Sequence, residues 1–131
     1  MYSELERLYA ECFPEKQHKW TENDFADLKK SGCDIIASQN SFVVWRTIAD
    51  EAEIISIGVT PLARRTGTAS ALLQLVENDV KNMGGKTIFL EVDESNIPAL
   101  ELYKKSGFFN AGTRPHYYEN GHDAIIMKKE I

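Results

Sequence analysis

The chain has 131 residues, of which 43% are hydrophobic and 27% are charged, and its formal net charge is −5. This composition is typical of a soluble globular protein, and we expect one domain over residues 1–131. The acidic balance argues against nucleic acid as the main partner, and no apolar run approaches the roughly 20 residues that span a membrane.

The N-terminal stretch and the cysteines indicate a cytoplasmic protein. The stretch is acidic and amphipathic, which does not fit a secretory signal. Cys12 and Cys33 have no metal-ligand spacing and are too few to staple a chain of this length, so we expect reduced thiols. The three histidines are not spaced as zinc ligands either, and no metal is expected.

Two helices are predicted first. Ser3 and Glu6 match a capping box, with Ser3 as N-cap of a helix that ends near Phe13. A second helix opens at the polar stretch that begins with Thr21 and runs to about Lys30, where a Ser-Gly pair ends it.

Three strands follow, over Cys33–Ser38, Phe42–Ile48 and Ile54–Val59. They are short, apolar and joined by tight polar turns, which predicts an antiparallel meander. Pro61 ends the third strand because proline cannot continue a central strand.

The second half alternates helices and strands. A long helix is predicted from Thr68 to Met83, and Asn96 caps a shorter one. Strands are predicted over Thr87–Val92, Phe108–Arg114 and Ala124–Lys129. The order α-α-β-β-β-α-β-α-β-β predicts a mixed sheet with helices packed on it.

The strongest functional signal is the loop from Arg64 to Ala69, between the third strand and the long helix. A helix N-terminus offers free backbone N–H groups and the positive end of its dipole, which favour an anion. Gly67 and Ala69 have little or no side chain, so a phosphate can approach the backbone closely. The loop thus predicts a pyrophosphate site, although an ordinary turn with surface arginines also fits. It matches neither a P-loop nor a dinucleotide-binding fingerprint.

A carboxylate lies within the strand Thr87–Val92. Ile88, Leu90 and Val92 share one face of this strand, and Glu91 lies on the other. A buried carboxylate costs free energy unless it is solvated, paired or used, and general-base catalysis is one such use. A solvent-facing glutamate at a strand end is the alternative, which the pattern alone favours.

Two further places carry candidate groups. Tyr103 lies at helical spacing among apolar residues, where an aromatic ring usually belongs to the core, although its hydroxyl can also donate a proton. Arg114, His116, Tyr117 and Tyr118 form a polar aromatic cluster. Such a cluster can bind a peptide through its amphipathic rings, or it can simply be a capped hairpin.

Together these segments resemble the GNAT superfamily of acetyl-CoA-dependent N-acetyltransferases. The loop fits the family pattern Arg/Gln-x-x-Gly-x-Gly/Ala as Arg64, Gly67 and Ala69. The segment Leu90–Phe108, LEVDESNIPALELYKKSGF, is close to the family's second signature. The ending RPHYYENGHDAIIMKKEI is similar to a bacterial branch that acetylates the N-terminal alanine of a small-subunit ribosomal protein.

The resemblance, which covers roughly Phe42 to the end, implies an α/β fold with a central mixed, mostly antiparallel sheet flanked by helices. Because helix signals begin at Ser3, the family's usual first strand is expected to be missing. Acetyl-CoA is implied as co-substrate and a protein N-terminus as acceptor. The expected protein is a monomer or weak dimer that works without metal, nucleic acid or membrane.

The family's residue roles carry over to matching positions. Glu91 would be the general base, and Tyr103 would protonate the departing CoA thiolate. The peptide site would be shaped by Arg114, Tyr117 and Tyr118. The cofactor would be held by Ile57, Gly58 and Val59 at the pantetheine arm, by Arg64, Arg65, Thr66, Gly67, Thr68, Ala69 and Ser70 at the pyrophosphate, and by Asn96.

Two alternatives remain open at this point. A related enzyme acting on a lysine side chain, a polyamine or an antibiotic would keep the cofactor residues and differ around residues 13–33 and 110–122. A module that binds CoA without catalysis is the other.

Overall fold

The computed structural model of the protein describes residues 2–131. Its elements follow the predicted order, with an additional 3-10 turn at Pro61–Ala63 that the sequence did not predict. The helices are α1 (Tyr2–Cys12), α2 (Glu22–Lys30), α3 (Thr68–Asn82) and α4 (Ile97–Lys105). The strands are β1 (Asp34–Ala37), β2 (Ser41–Ile48), β3 (Glu51–Val59), β4 (Thr87–Asp93), β5 (Phe109–Arg114) and β6 (Ala124–Glu130).

The six strands form one sheet in the order β1-β2-β3-β4-β6-β5. β1 pairs antiparallel with β2, and β6 pairs antiparallel with both β4 and β5. β3 and β4 pair in parallel, between Glu51–Glu53 and Thr87–Phe89. The predicted mixed, mostly antiparallel sheet flanked by helices is therefore confirmed.

The chain divides into two compact units, and the first comprises the residues up to Arg46 together with Ile55–Leu75. Its core is an aromatic cluster in which the Tyr9 ring stacks on Trp20 and contacts Phe13, Phe25 and Phe42. The apolar stripe of α1 supplies one side of this core, as its helical spacing predicts, with Leu5, Leu8, Tyr9 and Cys12 all buried.

The second unit comprises Thr47–Ile54 and Val76–Ile131. Ile88, Leu90 and Val92 of β4 are buried on one face, which confirms the alternation read from the sequence. On α3, the Glu77 carboxylate contacts Lys129 of β6 at 2.6 Å and Lys81 at 3.4 Å. Burial would raise the pKa of Glu77, but the two lysines outweigh it and lower the pKa. This ion pair ties α3 to β6.

The predicted start of α2 is confirmed, whereas the predicted cap of α1 is wrong. Thr21 and Asp24 form the capping box of α2, with each side chain accepting from the other's backbone N–H. The Ser3–Glu6 capping box is wrong, because α1 already begins at Tyr2 and Ser3 lies inside the helix. The Glu6 carboxylate instead accepts the backbone N–H of Glu22, at 2.9 Å.

Two kinds of feature are absent from residues 2–131. No described helix is both long and apolar enough to cross a membrane. No group of three histidine, cysteine or acidic side chains in this part of the chain is arranged to hold a metal ion. Cys12 and Cys33 are free, buried thiols.

Candidate active site

The loop before α3 lies in the first unit and has the backbone of an anion site. Arg65 and Gly67 adopt positive φ angles of 65° and 83°. Loops that mix left-handed and right-handed residues turn successive N–H groups toward one side and form anion-binding concavities. The helix begins at Thr68, and the N–H groups of its first turn have no acceptor within the helix. Residues Arg65–Ser70 therefore present backbone donors where the sequence predicts a pyrophosphate.

Arg64 belongs to this loop, but its side chain is already engaged. The guanidinium donates to the carbonyl oxygen of Val59 at 3.0 Å and to that of Cys12 at 2.9 Å. Arg64 thus fastens the loop to the end of β3 and to the end of α1. The next residue, Arg65, is exposed, and in the described part of the chain its side chain forms no such hydrogen bond to a backbone carbonyl.

The end of β3 is closely packed against α1 and β2. A Cβ atom at Gly58 would lie 2.9 Å from Cys12 Cβ, Cys12 Sγ and Phe42 Cε1. Only a glycine fits this approach without a shift of its neighbours. Ile57 and Val59 flank it on the strand, where all three were predicted to contact the pantetheine arm.

In the second unit, Glu91 and Arg114 form an ion pair. Glu91 Oε1 lies 3.1 Å from Arg114 Nε, and their side chains are 19% and 55% exposed. Ile126 of β6 lies between Glu91 on one side and Gly112 on the other. Ala124, two residues before Ile126 in β6, lies opposite Arg114. Both charged side chains thus point to one face of the sheet, and Gly112 and Ala124 leave room between them. The sequence predicted each residue separately, and the fold brings them together.

The loop between β5 and β6, residues 115–123, is called the hairpin loop below. It carries Tyr117 and Tyr118, whose rings meet edge to face at 5.1 Å, and the Arg114 guanidinium lies 5.4 Å from the Tyr117 ring centre. Burial raises the pKa of Tyr118, and the nearby charge of Glu91 raises it further. The predicted peptide-binding residues therefore lie together beside the predicted base.

Tyr103 lies in α4, and Asn96 directly precedes this helix. Tyr103 is buried with its ring 6.0 Å from that of Phe108, and burial raises the pKa of its phenol to about 12. A phenol with this pKa is protonated at neutral pH, as a proton donor must be. Asn96 caps α4 as predicted, since its side-chain oxygen accepts from the Ala99 N–H at 3.3 Å.

Asp93 lies two residues beyond Glu91 on the same face of β4 and is not among the predicted site residues. Its carboxylate accepts hydrogen bonds from Ser95, Asn120 and His122. Burial would raise the pKa of Asp93, but the bonds from Asn120 and Ser95 and the charge of His122 lower it to about 2. Asp93 has two local signals in the sequence: the period-two alternation that it shares with Glu91, and the Asp-x-Ser spacing, which is typical of a side chain that caps a turn.

Comparisons with known proteins agree with this geometry. The model of the acetyltransferase (GNAT) family matches residues 2–108 of the chain. The ribosomal protein bS18-alanine N-acetyltransferase of Escherichia coli strain K12 is 33% identical over 130 residues, covering 93% of this chain and 84% of that protein. An N-alpha-acetyltransferase of Sulfurisphaera tokodaii is 39% identical over 82 residues, covering 62% of this chain and 49% of that protein. A crystal structure of the ribosomal-protein-S18-alanine N-acetyltransferase from Escherichia coli has a TM-score of 0.86 at 28% identity, covering 99% and 87% of the two chains.

Proposed function

The chain belongs to the acetyltransferase (GNAT) family and is an acetyl-CoA-dependent N-acetyltransferase, and we propose that its acceptor is the α-amino group at a protein N-terminus. The observation that carries this proposal is the position of Glu91. It is a partly exposed carboxylate, 3.1 Å from an arginine and beside a loop with two tyrosines. The relatives named above, an alanine N-acetyltransferase for a ribosomal protein and an N-alpha-acetyltransferase, support the same acceptor.

The loop before α3 would hold acetyl-CoA. Backbone donors of Arg65–Ser70 would bind the pyrophosphate, and the charge of Arg65 would add to the positive end of the helix dipole. Arg64 would act on the cofactor indirectly, since its guanidinium holds the loop in place. Ile57, Gly58, Val59 and Asn96 would contribute the remaining cofactor contacts.

The reaction needs one base and one acid. The neutral amine attacks the thioester carbonyl carbon, a C–N bond forms, the C–S bond breaks, and the sulfur leaves as a thiolate. Glu91 would take the proton that the amine loses, and Tyr103 would protonate the thiolate. An α-amine has a pKa of about 8, so deprotonating it at neutral pH costs roughly 1.4 kcal/mol, whereas lysine at about 10.4 costs more than three times as much. One partly exposed carboxylate is therefore adequate for an N-terminal acceptor.

We propose the N-terminal alanine of a small-subunit ribosomal protein as the natural acceptor. Arg114, Tyr117 and Tyr118 would shape its binding site, and the net charge of −5 suits a basic partner. The proposal includes a single acetyltransferase domain over residues 1–131, acting in the cytoplasm as a monomer or weak dimer.

The test is acetyl-CoA turnover, measured as release of free thiol, on a peptide that begins with the alanine of the ribosomal substrate. The comparison peptide has a blocked α-amine and an added lysine. Turnover on the free α-amine alone is the expected result. Turnover on the blocked peptide would reassign the enzyme to lysine or small amines, and turnover on neither would refute the proposed acceptor.

The matched variants are Glu91→Gln and Glu101→Gln. Loss of a general base lowers the rate by roughly 10²–10⁴-fold. Glu101 is an exposed carboxylate on α4, so its substitution should leave kcat unchanged. Equal activity of both variants would refute the role of Glu91.

A further inference from the structure

The hairpin loop is attached to the end of β4 by a set of polar contacts. Asn120 Nδ2 donates to Asp93 Oδ2 at 3.0 Å, and His122 Nδ1 lies 3.1 Å from Asp93 Oδ1. The next residue, Glu94, accepts the backbone N–H of Asp123 and donates its own N–H to the Asp123 carbonyl at 3.0 Å. Two consecutive acidic residues of one strand end thus hold three residues of the loop.

These contacts reach the tyrosines through the backbone of the loop. The Tyr118 N–H donates to the His122 carbonyl at 3.2 Å, and the Gly121 N–H donates to the Tyr118 carbonyl at 2.9 Å. The His122 N–H donates in turn to Asn120 Oδ1 at 2.8 Å. The turn that carries Tyr118 is therefore closed in part by His122, which Asp93 contacts directly and also through Asn120.

Asp93 is well suited to act as an anchor. Its carboxylate also accepts the Ser95 N–H at 2.9 Å and the Ser95 hydroxyl at 2.8 Å, so it takes four contacts in total. Three of these contacts are on Oδ1 and one is on Oδ2, so both oxygens of the carboxylate are engaged. Such a group is fixed in orientation and has little capacity left to act as a base.

We propose that Asp93 is a positioning residue, which holds the hairpin loop so that Tyr117 and Tyr118 meet the acceptor beside Glu91. This inference rests on the proposed function, because it concerns the acceptor site of the same reaction. In this role Asp93 would act through Asn120 and His122 and not by contact with a reactant. It should therefore affect the KM for the acceptor and leave the KM for acetyl-CoA unchanged.

The geometry offers a reciprocal exchange as the test. Asp93→Asn places an amide donor opposite the Asn120 donor, and Asn120→Asp places a carboxylate opposite the Asp93 carboxylate. The double variant Asp93→Asn/Asn120→Asp restores one donor facing one acceptor, with the same net charge as the natural chain. The side-chain oxygens that face Ser95 and the His122 N–H are kept throughout.

Two readouts follow the exchange: steady-state kinetics on the alanine peptide, and hydrogen–deuterium exchange of the hairpin loop, which needs no turnover. A lost hydrogen bond to a charged group predicts a rise in acceptor KM of roughly tenfold for each single variant. Loop amides at Tyr118, Gly121 and His122 should exchange faster in the single variants. The double variant should recover most of both effects. The control is Asp79→Asn, an exposed carboxylate on α3, which should change neither readout.

The outcomes separate this inference from the proposed function. An unchanged acceptor KM in both single variants overturns the positioning role, as does a double variant that is no better than the singles. A fall in kcat and melting temperature with no change in KM also overturns it, because a merely structural role would act that way. If the natural chain acetylates no α-amine peptide, the proposed function fails, and unchanged loop exchange would then overturn the anchor as well.

Discussion

Gly58→Ala is the substitution with the clearest structural consequence. The added Cβ would lie 2.9 Å from two atoms of Cys12 and from Phe42 Cε1, closer than such atoms approach in proteins. Cys12 and Phe42 are almost fully buried, at 2% and 0% exposure. Neither can move without disturbing the aromatic core of the first unit, so the strain is not relieved cheaply.

The size of the effect follows from two opposing terms. Overpacking of a well-filled core costs about 1–3 kcal/mol. Replacing glycine by alanine in a strand returns roughly 0.5–1 kcal/mol, because less backbone entropy is lost on folding. The net expectation is a loss of about 1–2 kcal/mol in the free energy of unfolding. For a chain of this length that corresponds to a fall in Tm of roughly 3–10 °C.

The assay is thermal and urea unfolding of Gly58→Ala beside Gly112→Ala. Gly112 also lies in a strand, but its added Cβ would meet only Ile126 at 3.6 Å, an ordinary contact. The control should be neutral or slightly stabilising. Equal Tm values for the two variants would refute the packing argument for β3 and α1.

Three other expectations follow from the protonation states. The pKa of Asp93 is held at about 2 in the folded protein, below its ordinary value of 3.8, so its stabilisation is complete above pH 4 and is lost as the pH falls through 2. Urea unfolding from pH 7 down to pH 2 should show this loss, on the order of 2 kcal/mol, and the loss should be absent in Asp93→Asn. Burial outweighs the charge of Arg64 and raises the pKa of Cys12 to about 11. At pH 8 this thiol should therefore react with a disulfide reagent only after unfolding. Prompt reaction of the native protein would contradict this expectation. Tyr103→Phe keeps the ring and loses the acid, so kcat should fall by roughly 10²-fold while Tm changes little; an undiminished kcat would remove Tyr103 from the mechanism.

The order of elements could be predicted because local signals agree with the fold. Apolar residues in α1 and α3 recur at helical spacing, and the alternation in β4 is period two. Thr21 and Asn96 cap their helices through side chains only three residues away, so a local motif is enough to find them. The predicted bounds of the strands differ from the observed ones by three residues at most, at the start of β3.

Some side chains bind partners that are distant in the sequence, and these contacts could not be predicted from local motifs. Ser3 and Glu6 have the residue types of a capping box, but the Glu6 carboxylate found the Glu22 N–H, 16 residues away. Arg64 is a predicted pyrophosphate ligand, and no local pattern indicates that its guanidinium also reaches the Cys12 carbonyl, 52 residues away. The residue type determines which groups a side chain can hydrogen-bond, and the fold determines which of those groups lies within reach.

Glu91 and Asp93 illustrate how the fold divides two similar groups into two roles. They alternate on one face of β4, and the period-two pattern could have marked both from the sequence. Both oxygens of Asp93 accept hydrogen bonds, from residues 95, 120 and 122, which suits the proposed role of an anchor. Within residues 2–131, Glu91 has one ion pair, with an arginine that is 55% exposed. Because the guanidinium is largely exposed, solvent weakens this pair, and in the proposed mechanism an acceptor amine would displace the guanidinium. Glu91 has fewer contacts than Asp93, and it is the carboxylate that we propose for proton transfer.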